Sequence, residues 1–140
     1  MVDVLMSAYN AENTIERAVN SVLDQTYQRF KLYVFDDCST DSTYDILKDI
    51  SDPRLIVIHS NKNIGTYASK NYMLKNFCKS PYIALHDADD ISEPRRLQLQ
   101  VLIWHALGLL SMRYWSTQGR TRYQTTCFPV AKERTHTHRS

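Results

Sequence analysis

The chain has 140 residues, of which 43% are hydrophobic and 23% are charged, and its net charge at neutral pH is +2. This composition is typical of one globular domain with a hydrophobic core, and it excludes a disordered, collagen-like or coiled-coil chain. Glycine occurs only at positions 65, 108 and 119. The sequence therefore contains neither the glycine-rich dinucleotide loop nor the phosphate-binding P-loop.

Charged residues are unevenly distributed along the sequence. Residues 1–105 contain 11 basic and 14 acidic side chains, which gives this segment a net charge of −3. Residues 106–140 contain 6 basic side chains and one acid, Glu133, which gives a net charge of +5. This difference predicts a domain at 1–105 followed by a basic tail at 106–140.

The cysteines and the amino-terminal residues predict the cellular compartment. Cys38, Cys78 and Cys127 are widely spaced and form no Cys-x-x-Cys motif, which argues against a disulfide framework and against a zinc site. Residues 1–10 lack the basic and apolar regions of a signal peptide, and the apolar run at 101–110 is too short to span a bilayer. We therefore expect a cytoplasmic protein.

Short apolar runs alternate with helical patterns through the first hundred residues. The runs are rich in β-branched and aromatic residues and predict four strands, at 2–6, 31–35, 55–59 and 82–85. This alternation predicts an α/β fold, with a mostly parallel sheet of about four strands flanked by helices. Beyond about residue 105 no period of 2 or 3.6 is sustained, so the tail is predicted to be irregular.

Four segments have apolar residues at helical spacing. The clearest is 15–23, and a second helix with Asp41 or Thr40 as its cap is predicted to end before Pro53. A third helix is predicted at about 66–77. Ser92 is predicted to cap a fourth helix that has Pro94 in its first turn.

Five aspartates follow the predicted strands, at positions 36, 37, 87, 89 and 90. Ligands of open parallel sheets bind beyond the carboxyl ends of the strands, so these carboxylates are expected at one edge. Their mutual repulsion requires a compensating group, and a divalent cation is the obvious one. Asp87-x-Asp89 suits partly hydrated Mg²⁺ or Mn²⁺, although each aspartate taken by itself is more often a helix cap or part of a turn.

Four segments occur in the order and spacing of a known family: MSAYNAENTIERAVNSVLDQTY, VFDDCSTDST, NKNIGTYASKN and YIALHDADDISEPRRL. Together they resemble the nucleotide-sugar-binding half of family 2 glycosyltransferases. The resemblance covers residues 2 to about 101. It implies the Rossmann-like, nucleotide-binding half of the GT-A fold.

The resemblance implies a role for several of these positions. In the family, Ser7, Tyr9 and Asp37 hold the nucleoside, which is commonly uridine. A basic residue near Lys70 lies close to the diphosphate.

Asp87 and Asp89 match the family's DxD motif, which binds a divalent metal, Mn²⁺ or Mg²⁺. The resemblance makes Asp89 the more direct metal ligand and places Asp87 nearer to the ribose.

The activity implied by the resemblance is transfer of a sugar from a nucleotide sugar to an acceptor hydroxyl, with inversion and with a metal ion. The donor is expected to be a UDP-sugar, although the sequence does not distinguish UDP from GDP or dTDP. The acceptor is expected to be a saccharide or a lipid-linked saccharide in polysaccharide biosynthesis. This implies a cytoplasmic location, including peripheral association with the inner face of the membrane, and no nucleic-acid partner.

The sequence departs from the family pattern at three points. Cys38 stands where glycine is frequent, and Lys70 stands where arginine is frequent. After Glu93 the only acid is Glu133, so no catalytic general base is assigned. An early truncation or a shifted reading frame would produce such a tail. The alternative function is a truncated, noncatalytic nucleotide-binding or interaction module without the acceptor half and the base.

Overall fold

The computed structural model describes residues 1–107 and 127–129. Within these residues strands and helices alternate as predicted. In chain order the elements are β1 (Val2–Ala8), α1 (Ile15–Leu23), β2 (Phe30–Asp36), α2 (Thr43–Asp49), β3 (Leu55–His59), α3 (Thr66–Asn76), β4 (Tyr82–Asp87), α4 (Arg96–Leu107) and β5 (Cys127–Pro129). None of the helices in the described part of the chain has the length and apolar character needed to cross a membrane.

The strands form one sheet in the order β3-β2-β1-β4-β5. The first four are parallel to one another, which confirms the predicted parallel α/β architecture. The central strand β1 alternates its side chains between two clusters of buried residues. Val4 and Met6 pack with α1, α2 and α4 on one face, and Leu5 packs with α3 on the other.

Strand β5 differs from the prediction, because it lies in the segment 106–140 that was predicted to be irregular. It pairs antiparallel with β4, with Phe128 opposite Ile83. Three residues are too few to show an alternating pattern, and the pairing partner is more than forty positions away in sequence. The strand is therefore defined by the edge of β4 and could not be seen in the local sequence.

A buried carboxylate near the amino end of the sheet holds the connection between α3 and β4. Asp3 is 1% exposed. One of its oxygens accepts hydrogen bonds from the backbone N–H groups of Lys79 and Ser80, both at 2.9 Å, and the other accepts from Ser80 Oγ at 2.7 Å. These bonds replace the solvation that the buried carboxylate loses. They fix the point at which the chain enters β4.

Two weak acids near Asp3 are kept protonated by the fold. Burial, with the negative charge of Asp3 as a smaller cause, raises the pKa of Tyr33 to about 12 and the pKa of Cys78 to about 12. The Tyr33 hydroxyl donates to the carbonyl oxygen of Phe77 at 3.4 Å. Both groups therefore stabilise the folded chain only while the solution pH leaves them protonated.

We predict that the free energy of unfolding decreases as the pH rises from about 9 toward about 12. Over this range the unfolded chain releases protons from Tyr33 and Cys78 that the folded chain retains. Urea denaturation at about pH 8 and about pH 10.5 should show a loss about 1–2 kcal/mol larger for the wild type than for the Tyr33→Phe/Cys78→Ala variant. Equal losses in the two proteins would contradict this assignment.

Candidate functional site

The register of three neighbouring strands gathers the predicted site residues at one edge of the sheet. Strands β1 and β4 each extend two residues beyond their predicted ends, so that Ser7 and Asp87 lie within strands. Ser7 is the register partner of Asp87, and Ala8 is the register partner of Asp36. The carboxyl ends of β1, β2 and β4 therefore meet where the sequence predicted a ligand.

Two consecutive residues of α3 connect this helix to the ends of β1 and β4. The Ser69 hydroxyl lies 2.7 Å from the Ser7 hydroxyl. The Lys70 ammonium donates to Asp87 Oδ1 at 2.7 Å, and the Lys70 side chain is only 15% exposed. These two contacts and the register of β1 with β4 link Ser7, Lys70 and Asp87 into one contact group. The resemblance had assigned the three residues to different parts of one ligand. Ser69 was missed, because an isolated serine in a helical pattern carries no signal.

The direction of the serine contact follows from a second hydrogen bond. Ser69 is fully buried, and its hydroxyl donates to the carbonyl oxygen of Thr66 at 2.9 Å. A hydroxyl has one proton, so the Ser7 hydroxyl must donate to Ser69. Ser7 can consequently offer only lone pairs to any further partner.

Asp37 anchors the loop that precedes α3. It is 2% exposed, and its two carboxylate oxygens accept the backbone N–H groups of Ile64 and Gly65 at 2.8 and 2.7 Å. Gly65, with φ +86°, supplies the left-handed turn from which α3 begins. Both oxygens are thus already engaged with the protein, which the sequence did not indicate. The predicted contact of Asp37 with a nucleoside remains a prediction.

Asp36 is paired with a histidine that the sequence analysis did not select. Asp36 is fully buried, and its Oδ2 lies 2.7 Å from His59 Nδ1. The His59 ring also stacks on Tyr44, with ring centroids 4.2 Å apart. Asp36 and His59 are register partners at the ends of β2 and β3. The local sequence carries no signal for this pair, because the two residues are 23 positions apart and only the pairing of β2 with β3 brings them together.

The loops after β1 and β2 are joined to each other by polar contacts. Asn10 Oδ1 accepts the backbone N–H of Thr40 at 2.8 Å, and the backbone N–H of Asn10 donates to Ser39 Oγ at 3.0 Å. Cys38 has φ +64°, a conformation that favours glycine, which explains why glycine is frequent there in the family that the sequence resembles. Tyr9 is 51% exposed beside these loops and is available for stacking.

The DxD aspartates differ in their surroundings. Asp87 is half-buried against Lys70, whereas Asp89 is exposed on the turn that follows β4. No group of three or more His, Cys, Asp or Glu side chains suited to a metal ion occurs within the described residues. Two carboxylates at a strand end nevertheless fit a hard cation whose remaining ligands are water and phosphate oxygens.

The expectation that a divalent cation must offset the aspartates is only partly met. Protein groups contact several of these carboxylates: Asp36 contacts His59, Asp37 accepts two backbone N–H groups, and Asp87 accepts from Lys70. The protein itself therefore compensates much of the charge at this edge. The remaining case for a cation rests on the oxygen donors of Asp87 and Asp89.

His86, next to Asp87, is a buried histidine with a neutral ring. Burial, and then the charge of Arg96, lower the pKa of His86 to about 3, so the ring is neutral near neutral pH. Arg96 donates to His86 Nδ1 at 3.1 Å, and a guanidinium has only donors, so the ring proton is on Nε2.

The start of α4 corrects the predicted cap. The helix begins at Arg96, and the Ser92 hydroxyl accepts from the Arg96 side chain at 2.7 Å. The capping acceptor is instead the fully buried Gln25, whose Oε1 accepts the backbone N–H of Leu97 at 2.9 Å. The amide nitrogen of Gln25 donates to the carbonyl oxygen of Glu93 at 2.7 Å. A residue 72 positions away thus fixes the loop after the DxD motif.

Glu133, the one acid in the tail, lies outside the described residues. The site as described is a polar sheet edge. It carries a half-buried carboxylate, an exposed carboxylate, an ammonium group and an exposed aromatic ring. Open parallel sheets bind their ligands at such an edge, beyond the carboxyl ends of the strands.

Comparisons with known proteins define the family. The profile of glycosyl transferase family 2 matches residues 3–134. The UDP-Glc:alpha-D-GlcNAc-diphosphoundecaprenol beta-1,3-glucosyltransferase WfaP of Escherichia coli is 38% identical over 101 residues, which cover 72% of this chain and 40% of WfaP. The succinoglycan biosynthesis protein ExoO of Rhizobium meliloti is 34% identical over 100 residues, which cover 71% of this chain and 28% of ExoO.

A solved structure shows the same fold. The crystal structure of S. aureus TarS 1–349 in complex with UDP-GlcNAc matches with a TM-score of 0.74 and 25% identity, over 88% of this chain and 37% of that chain. The chain belongs to glycosyl transferase family 2, and the predicted GT-A fold is confirmed. It spans about two fifths or less of the length of these relatives.

We predict that Asp37→Ala lowers the free energy of unfolding by about 2 kcal/mol, because two N–H groups lose their acceptor. Asp37→Asn retains one accepting oxygen but sets its NH₂ donor against the second backbone N–H, so it should also lose stability. Urea denaturation followed by circular dichroism measures both values. Asp45→Ala is the control, because this exposed residue pairs with Lys48 on the surface and should change stability little. An Asp37→Ala protein as stable as the wild type would exclude the anchoring role.

Proposed function

We propose that this chain binds a nucleotide sugar at the carboxyl edge of its sheet and serves the donor side of an inverting, metal-dependent glycosyl transfer. The observation that carries the proposal is the contact group of Ser7, Lys70 and Asp87, with Asp89 beside it. It combines an ammonium group for a diphosphate, oxygen donors for a hard cation and an accepting hydroxyl within one edge.

The proposed nucleoside site lies beside β1. The exposed ring of Tyr9 offers a stacking surface for a base, and Ser7, whose proton is engaged by Ser69, can accept a hydrogen bond from a ribose hydroxyl or a base N–H. Asp37 is retained in this site, because each carboxylate oxygen has a second lone pair. UDP is the proposed nucleotide, since UDP-GlcNAc is bound by the related TarS structure.

The proposed diphosphate site lies between Lys70 and the DxD aspartates. Lys70 places its positive charge near the leaving group, and Asp87 and Asp89 would hold Mn²⁺ or Mg²⁺. Such a cation supplies Lewis-acid stabilisation of the charge that develops on the departing diphosphate. By holding the cation, the two carboxylates would determine where the negative charge of the departing diphosphate is neutralised.

The proposed acceptor is a saccharide or a lipid-linked saccharide in polysaccharide biosynthesis. The name of WfaP describes a lipid-linked acceptor, and ExoO is named for the biosynthesis of a polysaccharide. We include in the proposal a cytoplasmic location at the inner face of the membrane, and no nucleic-acid partner. The division into a nucleotide-sugar-binding domain at 1–105 and a basic tail at 106–140 is part of the same proposal.

A noncatalytic nucleotide-binding or interaction module is the second candidate. It is favoured by the scarcity of carboxylates after Glu93, where Glu133 is the only one, since inverting transfer requires a general base. Incubation with UDP-glucose, UDP-GlcNAc and Mn²⁺, with release of UDP as the readout, separates the two candidates. Metal-dependent release of UDP would exclude the noncatalytic module.

We predict that the folded chain binds UDP in calorimetry only when Mn²⁺ is present. Asp89→Ala should weaken this binding by at least about tenfold, because an exposed carboxylate that ligates the cation is lost. Asp45→Ala, which removes an exposed carboxylate on α2, is the matched control and should bind as the wild type does. Absence of UDP binding by the folded wild type, or equal binding by Asp89→Ala, would overturn the proposed function.

A further inference from the structure

Lys70 and a divalent cation would compete for the carboxylate of Asp87. Lys70 Nζ lies 2.7 Å from Asp87 Oδ1, and Mg²⁺ binds carboxylate oxygens at about 2.0–2.1 Å. A divalent cation on either oxygen of Asp87 would therefore lie close to the ammonium and repel it strongly. Binding of the cation at Asp87 thus favours release of the Lys70 ammonium.

The ammonium needs another anionic partner once it is displaced. The Lys70 side chain is only 15% exposed, so leaving it unpaired at this edge is unfavourable. A diphosphate bound to the same cation brings negative charge to this place. Ser69 ties α3 to β1 through Ser7, so the movement is confined to the Lys70 side chain and the helix can stay in position.

We propose that Lys70 is an exchangeable internal counter-cation of Asp87, so that the divalent cation and the nucleoside diphosphate bind as a coupled pair. The cation takes Asp87, and the diphosphate takes the ammonium that the cation displaces. The inference rests on the proposed function and deepens it. It means that Lys70 opposes the binding of the cation alone and favours the binding of the cation together with nucleotide.

Binding of Mn²⁺ alone tests the exchange, with the loss of the free Mn²⁺ signal in electron paramagnetic resonance as the readout. Lys70→Met, which is neutral and of similar length, should bind Mn²⁺ at least about fivefold more tightly than the wild type. Lys70→Arg retains the charge and should match the wild type within about twofold. Lys70→Gln provides a second neutral variant if Lys70→Met does not fold by circular dichroism.

A general effect of charge is controlled by Lys62→Met. This variant removes one positive charge from the exposed loop at the same sheet edge, and in the structure the Lys70–Asp87 ion pair is formed without it. If Lys62→Met tightens Mn²⁺ binding as much as Lys70→Met does, the exchange is wrong. The exchange is also wrong if the neutral Lys70 variants bind Mn²⁺ no better than the wild type. Undetectable Mn²⁺ binding by both the wild type and these variants counts as the same outcome.

Titration of UDP into the wild type and Lys70→Met, both with Mn²⁺, completes the test. The variant should bind UDP more weakly, because the diphosphate loses the ammonium. Lack of UDP binding by the wild type would overturn the proposed function, whatever Mn²⁺ alone does. UDP binding by the wild type, with unchanged Mn²⁺ affinity in the neutral variants, would leave the proposed function standing and overturn only the exchange.

Discussion

The parallel pairing of β1 with both β2 and β4 is the constraint on which the rest of the structure depends. Backbone hydrogen bonds on both edges of β1 fix the register that places Ser7 opposite Asp87 and Ala8 opposite Asp36. A shift by one residue would turn these side chains to the other face of the sheet. Because apolar side chains of β1 are buried on both faces, such a shift would also expose the core.

Buried polar side chains fix the positions of the loops relative to the paired strands. Asp3 holds the entry into β4, Asp37 holds the entry into α3, and Gln25 caps α4. Each supplies acceptors to backbone N–H groups that have no partner within their own element. The loops around the site are therefore positioned by side chains that do not themselves need to touch a ligand. The residues at the loop and strand ends of the site therefore have defined positions.

The electrostatics of the edge follow from the same contacts. The carboxylates of Asp36, Asp37 and Asp87 are compensated by His59, by two N–H groups and by Lys70. Among the compensating groups, Lys70 alone has the mobility of a long aliphatic side chain. Asp36 and Asp37 therefore each hold a part of the protein in place, whereas the pairing of Asp87 is the one that the proposed divalent cation would replace.

The sequence by itself determined the alternation of strands and helices and the edge at which Ser7, Asp37, Asp87 and Asp89 gather, because apolar periodicity and strand ends are local patterns. It could not determine β5, the Gln25 cap, the Asp36–His59 pair or the Ser7–Ser69 contact. These depend on residues 23 to 72 positions apart that only the packed sheet brings together. Local sequence thus predicted which residues line the edge, and tertiary structure decided their partners, because hydrogen bonds form between neighbours in space.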